Sequence, residues 1–250
     1  MSGHSKWNTI KRAKGATDAK RGKIFTQHAK NIQLAAREGG NDPTMNAALA
    51  TAIENSKSDN LPKENIERAI KKGCGELEGE QIEEKIYEGY GPSGVALLIT
   101  TLTDNSNRTT ANIRHILSKG GGKLAESGSV VFQFEKKGII TLMENSEEAE
   151  LAAIEAGADD IERAKISEDS QEILIVKTAP QKLMEVRGSL LEKNLKIESA
   201  ELNFEAVNEV KIEDTETAQK ILNLVEALEE DDDVDSIAAN FDIPNDLLSA

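Results

Sequence analysis

Apolar residues recur at intervals of three and four through the first quarter of the chain, a spacing that predicts amphipathic helices. The first such helix has one apolar face, formed by Ile24, Phe25, Ala29, Ile32 and Ala36. Gly39 and Gly40 predict its end, because glycine readily adopts the left-handed conformation found at helix C-termini. Residues 1–19 lack this period and mix lysines with small polar residues, which indicates an arm that orders on binding.

Two more helices are predicted before residue 78. Asp42 is expected to be the N-cap of the second helix, with Pro43 in its first turn and Met45 on its buried stripe. Pro62 is expected to open the third helix. Residues 1–78 are therefore predicted to form a basic arm and a small helical domain.

The apolar period then changes to that of strands. Gly94–Thr103 is apolar and β-branched, which predicts a strand that is covered on both faces. A helix is predicted over Arg108–Ser118, with three glycines after it, and the alternation in Ser129–Glu135 predicts another strand. These elements are expected to begin an α+β domain at about residue 79.

A new unit begins near residue 136. Its predicted strands and helices, in β-α-β-β-α-β order, are Ile139–Met143, Glu147–Ala156, Ala164–Ser167, Glu172–Thr178, Pro180–Lys193 and Leu195–Phe204. That order matches the ferredoxin-like motif. A strand, a helix and a strand are then predicted over Glu209–Ile212, Thr215–Glu229 and Val234–Ile243, and are expected to complete the sheet begun at Val95.

The predicted fold class is α+β. It consists of an N-terminal three-helix domain plus two α+β domains, one of which is ferredoxin-like and inserted in the other. The inserted domain is expected to span residues 136–205, within a discontinuous domain of residues 79–135 and 206–250.

Composition limits the classes of protein that this fold can serve. The chain has 250 residues, of which 38% are hydrophobic and 30% charged, which suits two or three small domains. A single cysteine, Cys74, excludes a disulfide framework and a zinc ribbon. No apolar run approaches the roughly 18–20 residues of a membrane span, and the N-terminus lacks the apolar segment of a signal peptide. The expected location is the cytoplasm.

The net charge of −15 argues, as an average, against nucleic acid, but the charge is unevenly distributed. Residues 1–75 carry 14 Lys and Arg against 7 Asp and Glu, a net charge of +7, whereas the remainder has a net charge of −22. The extreme acidic run, Glu226–Asp235, is interpreted as a solvated loop after a helix. The asymmetry predicts a basic arm for an anionic partner, attached to an acidic body.

A second stretch, Asn105–Ala125, contains no carboxylate. Its cations are Arg108, Arg114, Lys119 and Lys123. Because N–H groups at a helix start favour anions, this island is a second candidate contact with nucleic acid. An equally good interpretation is that its cations merely balance the acidic body.

Residues suited to catalysis or metal binding do not form a recognisable pattern. The histidines, His4, His28 and His115, lack the spacing of metal ligands. Lys119–Lys123 lacks the earlier glycine and the following Ser or Thr of a phosphate-binding loop. The sequence therefore predicts a protein that is not an enzyme and that holds neither a metal nor a cofactor.

The basic arm has the chemistry needed for phosphate, because each Lys or Arg that displaces a counterion adds sequence-independent affinity. The residues expected to hold nucleic acid are Lys6, Trp7, Lys11, Arg12, Lys14, Lys20, Arg21 and Lys23. Trp7 has two equally supported interpretations, stacking on an unpaired base or anchoring the arm on the helical domain. No helix carries a cluster of base-reading side chains, so sequence-specific recognition is not predicted.

Several long motifs along the chain resemble those of the YebC family. They are Gly3–Trp7, Asp18–Thr26, Ala36–Gly40, Pro62–Gly73, Tyr87–Pro92, Leu102–Asn105, Asn107–Thr109, Gly128–Val130 and Asn240–Asp242. The resemblance covers essentially the whole chain. It implies an N-terminal helical domain and two α+β domains, one inserted into the other. The family includes the mitochondrial translational activator of cytochrome c oxidase subunit I.

The resemblance also implies a function. Bacterial members are labelled probable transcriptional regulatory proteins that bind DNA in the cytoplasm, and other members are linked to translation on the ribosome at proline-rich stretches. The first hypothesis is therefore a non-enzymatic regulator that binds DNA, with the transcription machinery as a partner. The alternative is a ribosome-associated translation factor that binds ribosomal RNA, because a lysine-rich arm recognises charge and shape rather than sequence.

Overall fold

The computed structural model of the chain describes residues 18–79, 81–165 and 172–244. These residues form two compact units, one built from residues 18–135 and 206–244 and the other from residues 136–205. The candidate arm residues Lys6, Trp7, Lys11, Arg12 and Lys14 lie outside the described residues, as does the side chain of Lys20. No helix among the described residues is long and apolar enough to span a membrane.

Three helices begin the larger unit, as predicted. They are α1 (Asp18–Gly39), α2 (Ala47–Ser58) and α3 (Lys63–Gly73). Their shared core consists of Ile32, Ala36, Leu49, Leu61, Ile66 and Ala69, all buried. Pro62 precedes the first residue of α3, where its missing N–H costs no helical hydrogen bond.

The predicted start of α2 is wrong by several residues. Its N-cap is Asn46, whose Oδ1 accepts a hydrogen bond from the backbone N–H of Leu49. Asp42 instead closes a turn, since its carboxylate accepts hydrogen bonds from both the backbone N–H and the hydroxyl of Thr44. Met45 lies in this turn and is 86% exposed, so it does not belong to the buried stripe. The fixed φ of proline suits such a turn as well as the first turn of a helix.

The chain then forms β1 (Glu83–Tyr90), β2 (Ala96–Thr103), α4 (Ser106–Lys119) and β3 (Lys123–Leu124). β1 pairs with β2 and β3, antiparallel in both cases. All eight residues of β2 are buried, which confirms the prediction of a strand covered on both faces. α4 buries Ile113 and Leu117 and begins at the N-cap Asn105, whose side chain accepts from the backbone N–H of Arg108.

The strand predicted over Ser129–Glu135 is wrong. Val131–Gln133 forms a 3-10 turn instead, and a strand starts only at Phe134. The cause lies on β1, where the buried carboxylate of Glu88 accepts backbone hydrogen bonds from Gly128, Val130 and Val131. Burial raises the pKa of Glu88, but these three donors outweigh it and hold the pKa below its usual value.

The smaller unit contains β4 (Phe134–Leu142), α5 (Glu147–Glu155), β5 (Asp160–Lys165), β6 (Glu172–Thr178), α6 (Leu183–Glu192) and β7 (Ile197–Ala206). Its sheet has the order β5-β6-β4-β7, with β6 antiparallel to both β4 and β5. This is the ferredoxin-like arrangement that the sequence predicts. The predicted strand Ala164–Ser167 is displaced, since β5 ends at Lys165 and residues 166–171 lie outside the described residues.

The chain returns to the larger unit through β8 (Val210–Lys211), α7 (Thr215–Glu229), β9 (Val234–Ala239) and β10 (Phe241–Asp242). β9 pairs with β2 and completes a sheet of order β3-β1-β2-β9. The single strand predicted over Val234–Ile243 is interrupted at Asn240, whose Oδ1 accepts from the backbone N–H of Ala96 at 2.7 Å. Beyond Asn240, β10 pairs in parallel with β8.

Candidate nucleic-acid interface

The cationic side chains of α1 differ in their exposure to solvent. Arg21 is exposed, whereas Lys23 is half-buried and its Nζ donates hydrogen bonds to the carbonyl oxygens of Glu229 and Asp231. Burial lowers the pKa of Lys23, opposed by the neighbouring acidic side chains. Lys23 is therefore already bound by the chain itself.

The same face of α1 also contacts residues 232–235. Lys30 Nζ donates to the carbonyl oxygens of Leu102 and Asp232, each at 2.8 Å, and to Asp233 Oδ1 at 2.9 Å. Gln27 and Asn31 donate to the Val234 carbonyl at 2.7 Å and to Asp235 Oδ1 at 2.9 Å. The interpretation of Glu226–Asp235 as a solvated loop is therefore wrong, because its first four residues belong to α7 and residues 229 and 231–235 contact α1.

Sequence reasoning missed this contact, although a pattern for it exists. Lys23, Gln27, Lys30 and Asn31 recur at intervals of three and four and so share one helix face. A polar face with two cations and a run of seven acids are complementary. We define the acidic segment as residues 229–235.

Asp233 lies at the centre of the contact and is only 5% exposed. Its Oδ1 accepts from Lys30, and its Oδ2 accepts from Arg108 at 2.7 Å and from the hydroxyl of Thr109 at 2.8 Å. Burial raises the pKa of Asp233, but the hydrogen bonds from these three residues outweigh burial and lower the pKa to about 2. Arg108 also pairs with Asp104 at 2.9 Å, so this candidate cation is held within the protein.

The other cations of the carboxylate-free island are placed differently. Arg114 and Lys119 lie on the outer face of α4, are exposed, and form no hydrogen bond or ion pair with any described residue. Lys123 is also exposed, with its Nζ 5.7 Å from the centroid of the Tyr90 ring. The structure therefore separates Arg108 from the three remaining candidates, which have cationic groups open to an anion.

The histidine and cysteine side chains of the described residues lie apart from one another. Within residues 18–79, 81–165 and 172–244, no group of three or more His, Cys, Asp and Glu side chains is placed to hold a metal ion. His28 Nε2 lies 2.6 Å from Asp59 Oδ2, His115 is exposed on α4, and Cys74 is exposed.

Comparison with known proteins places the chain in a family. The model described as the TACO1/YebC protein N-terminal domain matches residues 5–76, and the model of the TACO1/YebC second and third domain matches residues 82–241. A protein of Halothermothrix orenii named "Probable transcriptional regulatory protein" is 48% identical over 253 residues, covering 99% of this chain and 98% of that protein. A protein of Pelotomaculum thermopropionicum with the same name is 50% identical over 248 residues, with 97% and 99% covered.

A solved structure is also similar. The crystal structure of the conserved hypothetical protein Aq1575 from Aquifex aeolicus superposes with a TM-score of 0.84 at 49% sequence identity, and covers 91% of this chain and 93% of that chain. Identity of this extent, together with family models that match nearly the whole chain, leaves one conclusion: the chain belongs to the TACO1/YebC family.

Proposed function

We propose that the protein is a nucleic-acid-binding regulator of gene expression that acts on DNA in the cytoplasm and has no enzymatic activity. The observation that carries the proposal is the exposed, unpaired state of Arg114 and Lys119 in a stretch without carboxylates. Relatives named probable transcriptional regulatory proteins, at about half identity over the whole chain, support the same function.

The distinction between free and held cations determines which residues contribute affinity. A free cation releases a phosphate counterion at little cost, whereas Lys23, Lys30 and Arg108 would first have to leave their partners in the acidic segment and around it. Among the described residues, the nucleic-acid contacts are therefore assigned to Arg21, Arg114, Lys119 and Lys123. The arm residues before residue 18 and Lys20 stay candidates from the sequence.

The first test replaces Arg114, Lys119 and Lys123 together by alanine and measures duplex DNA binding across a salt series. Loss of three phosphate contacts is expected to make the slope of log K against log salt less steep by roughly 2.7. The matched control replaces Lys182, Lys193 and Lys196, three exposed lysines of the smaller unit, and should leave the slope unchanged. An unchanged slope in the first variant would contradict the assignment of the island.

The second test concerns the arm. Replacement of Lys11, Arg12, Lys14 and Lys20 by alanine is expected to weaken binding and flatten the salt dependence while the circular dichroism spectrum stays that of the native chain. If both sets of variants bind DNA as the native protein does, the proposed function is wrong.

A second candidate function follows from the acidic body. The net charge of −22 after residue 75 opposes wrapping on a duplex, which favours a translation factor that contacts ribosomal RNA at one place. Co-sedimentation with ribosomes at physiological salt distinguishes the two functions. Retention in ribosomal fractions with release from promoter DNA favours translation, and the reverse result favours transcription.

A further inference from the structure

A groove lies between α4 and α7 in the larger unit. Its volume is about 500 Å³, with Ile116, Leu224 and Ala227 providing apolar lining and His115, Lys119 and Lys220 contributing polar and cationic groups. No described carboxylate lines the groove, although the chain has 45 acidic residues. A lining of this kind suits a ligand that is anionic and also presents an apolar face.

The cations of the groove are available to such a ligand. Lys119 has no hydrogen bond or ion pair with a described residue, whereas Lys220 Nζ lies 2.6 Å from Glu216 Oε1, one turn away on α7. The side chains of Lys220 and Glu216 are 58% and 81% exposed, and an exposed ion pair of this kind contributes little stability. A phosphate can therefore compete with Glu216 for Lys220 at small cost.

A second cavity shares one lining residue with the groove. Gly121 lines both, and the second cavity, of about 410 Å³, is lined also by Tyr90 and Lys123 among several glycines. Lys220, Lys119 and Lys123 thus border two adjoining cavities. Three lysines distributed over two neighbouring cavities suit a polymer of phosphates better than a single anion.

The lining of the groove is formed before any ligand arrives. A Cβ added at Gly120 would lie 2.6 Å from Leu224 Cδ1, so the end of α4 packs directly on α7 at this point. Leu224 is itself 2% exposed and fixed in the core. A preformed site binds without a large ordering cost.

We propose that this groove, defined by His115, Lys119, Lys220 and Ala227, binds a single-stranded segment of nucleic acid. An unpaired base lies against Ile116 and Ala227, the accessible apolar residues of the lining. The phosphates beside it contact Lys119 and Lys220, with Lys123 binding the strand farther along. A duplex cannot do this, because its base faces are stacked inside. The inference rests on the proposed function and adds a contact with an unpaired strand at the groove to the phosphate contacts proposed for Arg114, Lys119 and Lys123.

The test uses the full-length protein and labelled oligonucleotides of about 12 nucleotides, as single-stranded DNA, single-stranded RNA and duplex DNA of one sequence. Fluorescence anisotropy gives the affinity of each. Two variants are compared: Lys220→Gln removes a cation of the groove, and Ala227→Met fills the groove without a change of charge. Their controls are Lys182→Gln and Ala48→Met, at exposed positions outside the groove.

Ala227→Met is expected to weaken single-strand binding about tenfold and to leave duplex binding unchanged, since only an unpaired base enters the groove. Lys220→Gln should make the single-strand salt slope less steep by about 0.7, the effect of one phosphate contact. The controls should behave as the native protein does. The single strand, RNA or DNA, whose affinity falls more in Ala227→Met is the one that the groove prefers.

Three results would overturn the inference. Unchanged single-strand binding in both groove variants, while the variant of Arg114, Lys119 and Lys123 loses binding, would leave the proposed function standing and place the strand elsewhere. An equal loss of single-strand and duplex binding in Ala227→Met would show that no unpaired base occupies the groove. If the native protein binds none of the three oligonucleotides, the proposed function fails together with the inference.

Discussion

Asp233 joins three parts of the larger unit through a single carboxylate. Its partners Lys30, Arg108 and Thr109 belong to α1 and α4, and the residue itself comes just before β9. A carboxylate that is buried and accepts from two cations is stabilising only while both cations stay in place. The residue therefore couples the position of α1 to the start of α4.

Asp233 makes the stability of the larger unit depend on pH in a defined window. Its folded pKa of about 2 lies below that of an unfolded aspartate, so its stabilisation is complete above about pH 4 and is lost as the pH falls towards 2. At neutral pH the ionised Asp233 carboxylate contributes about 2 kcal/mol to the free energy of unfolding. Solvent screening at the half-exposed Arg108 reduces this contribution. We expect Asp233→Asn to lower the free energy of unfolding by about this amount at pH 7.

The measurement is urea unfolding of the native protein and of Asp233→Asn between pH 7 and pH 2. The difference in unfolding free energy between them should shrink steadily below pH 4. Asp232→Asn is the matched control, because that neighbouring carboxylate is exposed and Lys30 contacts only its backbone carbonyl. A constant difference at every pH would show that Asp233 acts through packing and not through its charge.

The sequence identifies the basic residues, but it does not show which of them bind other groups of the same chain. Lys23 and Arg108 are as basic as Arg114 and Lys119, and composition alone treats all four alike. What separates them is whether a carboxylate or carbonyl distant in sequence lies within reach, which is a property of the fold. Lys23 and its carbonyl partner on Glu229 are 206 residues apart.

At the scale of elements, the close approach of α1 and α3 depends on one glycine. Gly73 is the last residue of α3, and a Cβ added there would lie 2.3 Å from the carbonyl oxygen of Gln33 on α1. That oxygen is backbone and cannot rotate away. Gly73→Ala should therefore force the helices apart and lower the free energy of unfolding by about 1–3 kcal/mol.

Gly188 provides the contrasting substitution. It lies inside α6, and an added Cβ meets no described heavy atom within 4 Å. Gly188→Ala should raise the free energy of unfolding by about 0.5–1 kcal/mol, because alanine loses less backbone entropy in a helix. Urea unfolding measures both variants, and a stabilised Gly73→Ala would contradict the packing of α1 on α3.

Elements with a regular apolar period were predicted well, and elements held by polar contacts were not. β2 and the ferredoxin-like strands other than β5 are apolar enough to be recognised from their own residues, whereas β5, with the sequence DIERAK, is mostly charged and was predicted at a displaced position. β1 was not predicted, since Glu83–Tyr90 mixes charged and apolar residues and pairs on both edges only in the folded sheet. The turn at Val131–Gln133 depends on Glu88, far from it in sequence, so local alternation could not distinguish it from a strand.

At the scale of the whole molecule, some of the basic groups near the N-terminus contact acidic groups from the C-terminal part of the chain. The positive net charge of residues 1–75 and the negative charge after them suggest two separate surfaces. In the structure, α1 binds the acidic segment through hydrogen bonds, and the Lys30–Asp233 ion pair neutralises one charge of each sign within the larger unit. The cations left for a partner are fewer than the sequence suggests, and in the described residues they include Arg114, Lys119 and Lys123.

The residues of the smaller unit are predicted to fold alone. Ile140, Leu142, Leu174, Val176 and Leu190 form part of a core of its own, and the Gln133 carbonyl accepts from the Val207 N–H at 2.9 Å, so the chain leaves and re-enters the larger unit at one point. A fragment of residues 134–206 should therefore unfold cooperatively in urea, because its sheet and both helices share that core.

The complementary chain, with residues 136–205 replaced by a short Gly-Ser linker, should keep the pH dependence of stability that Asp233 confers. A fragment that shows no cooperative transition, beside a linker chain that is unfolded, would mean that residues 136–205 are not an inserted domain but part of a single cooperative structure.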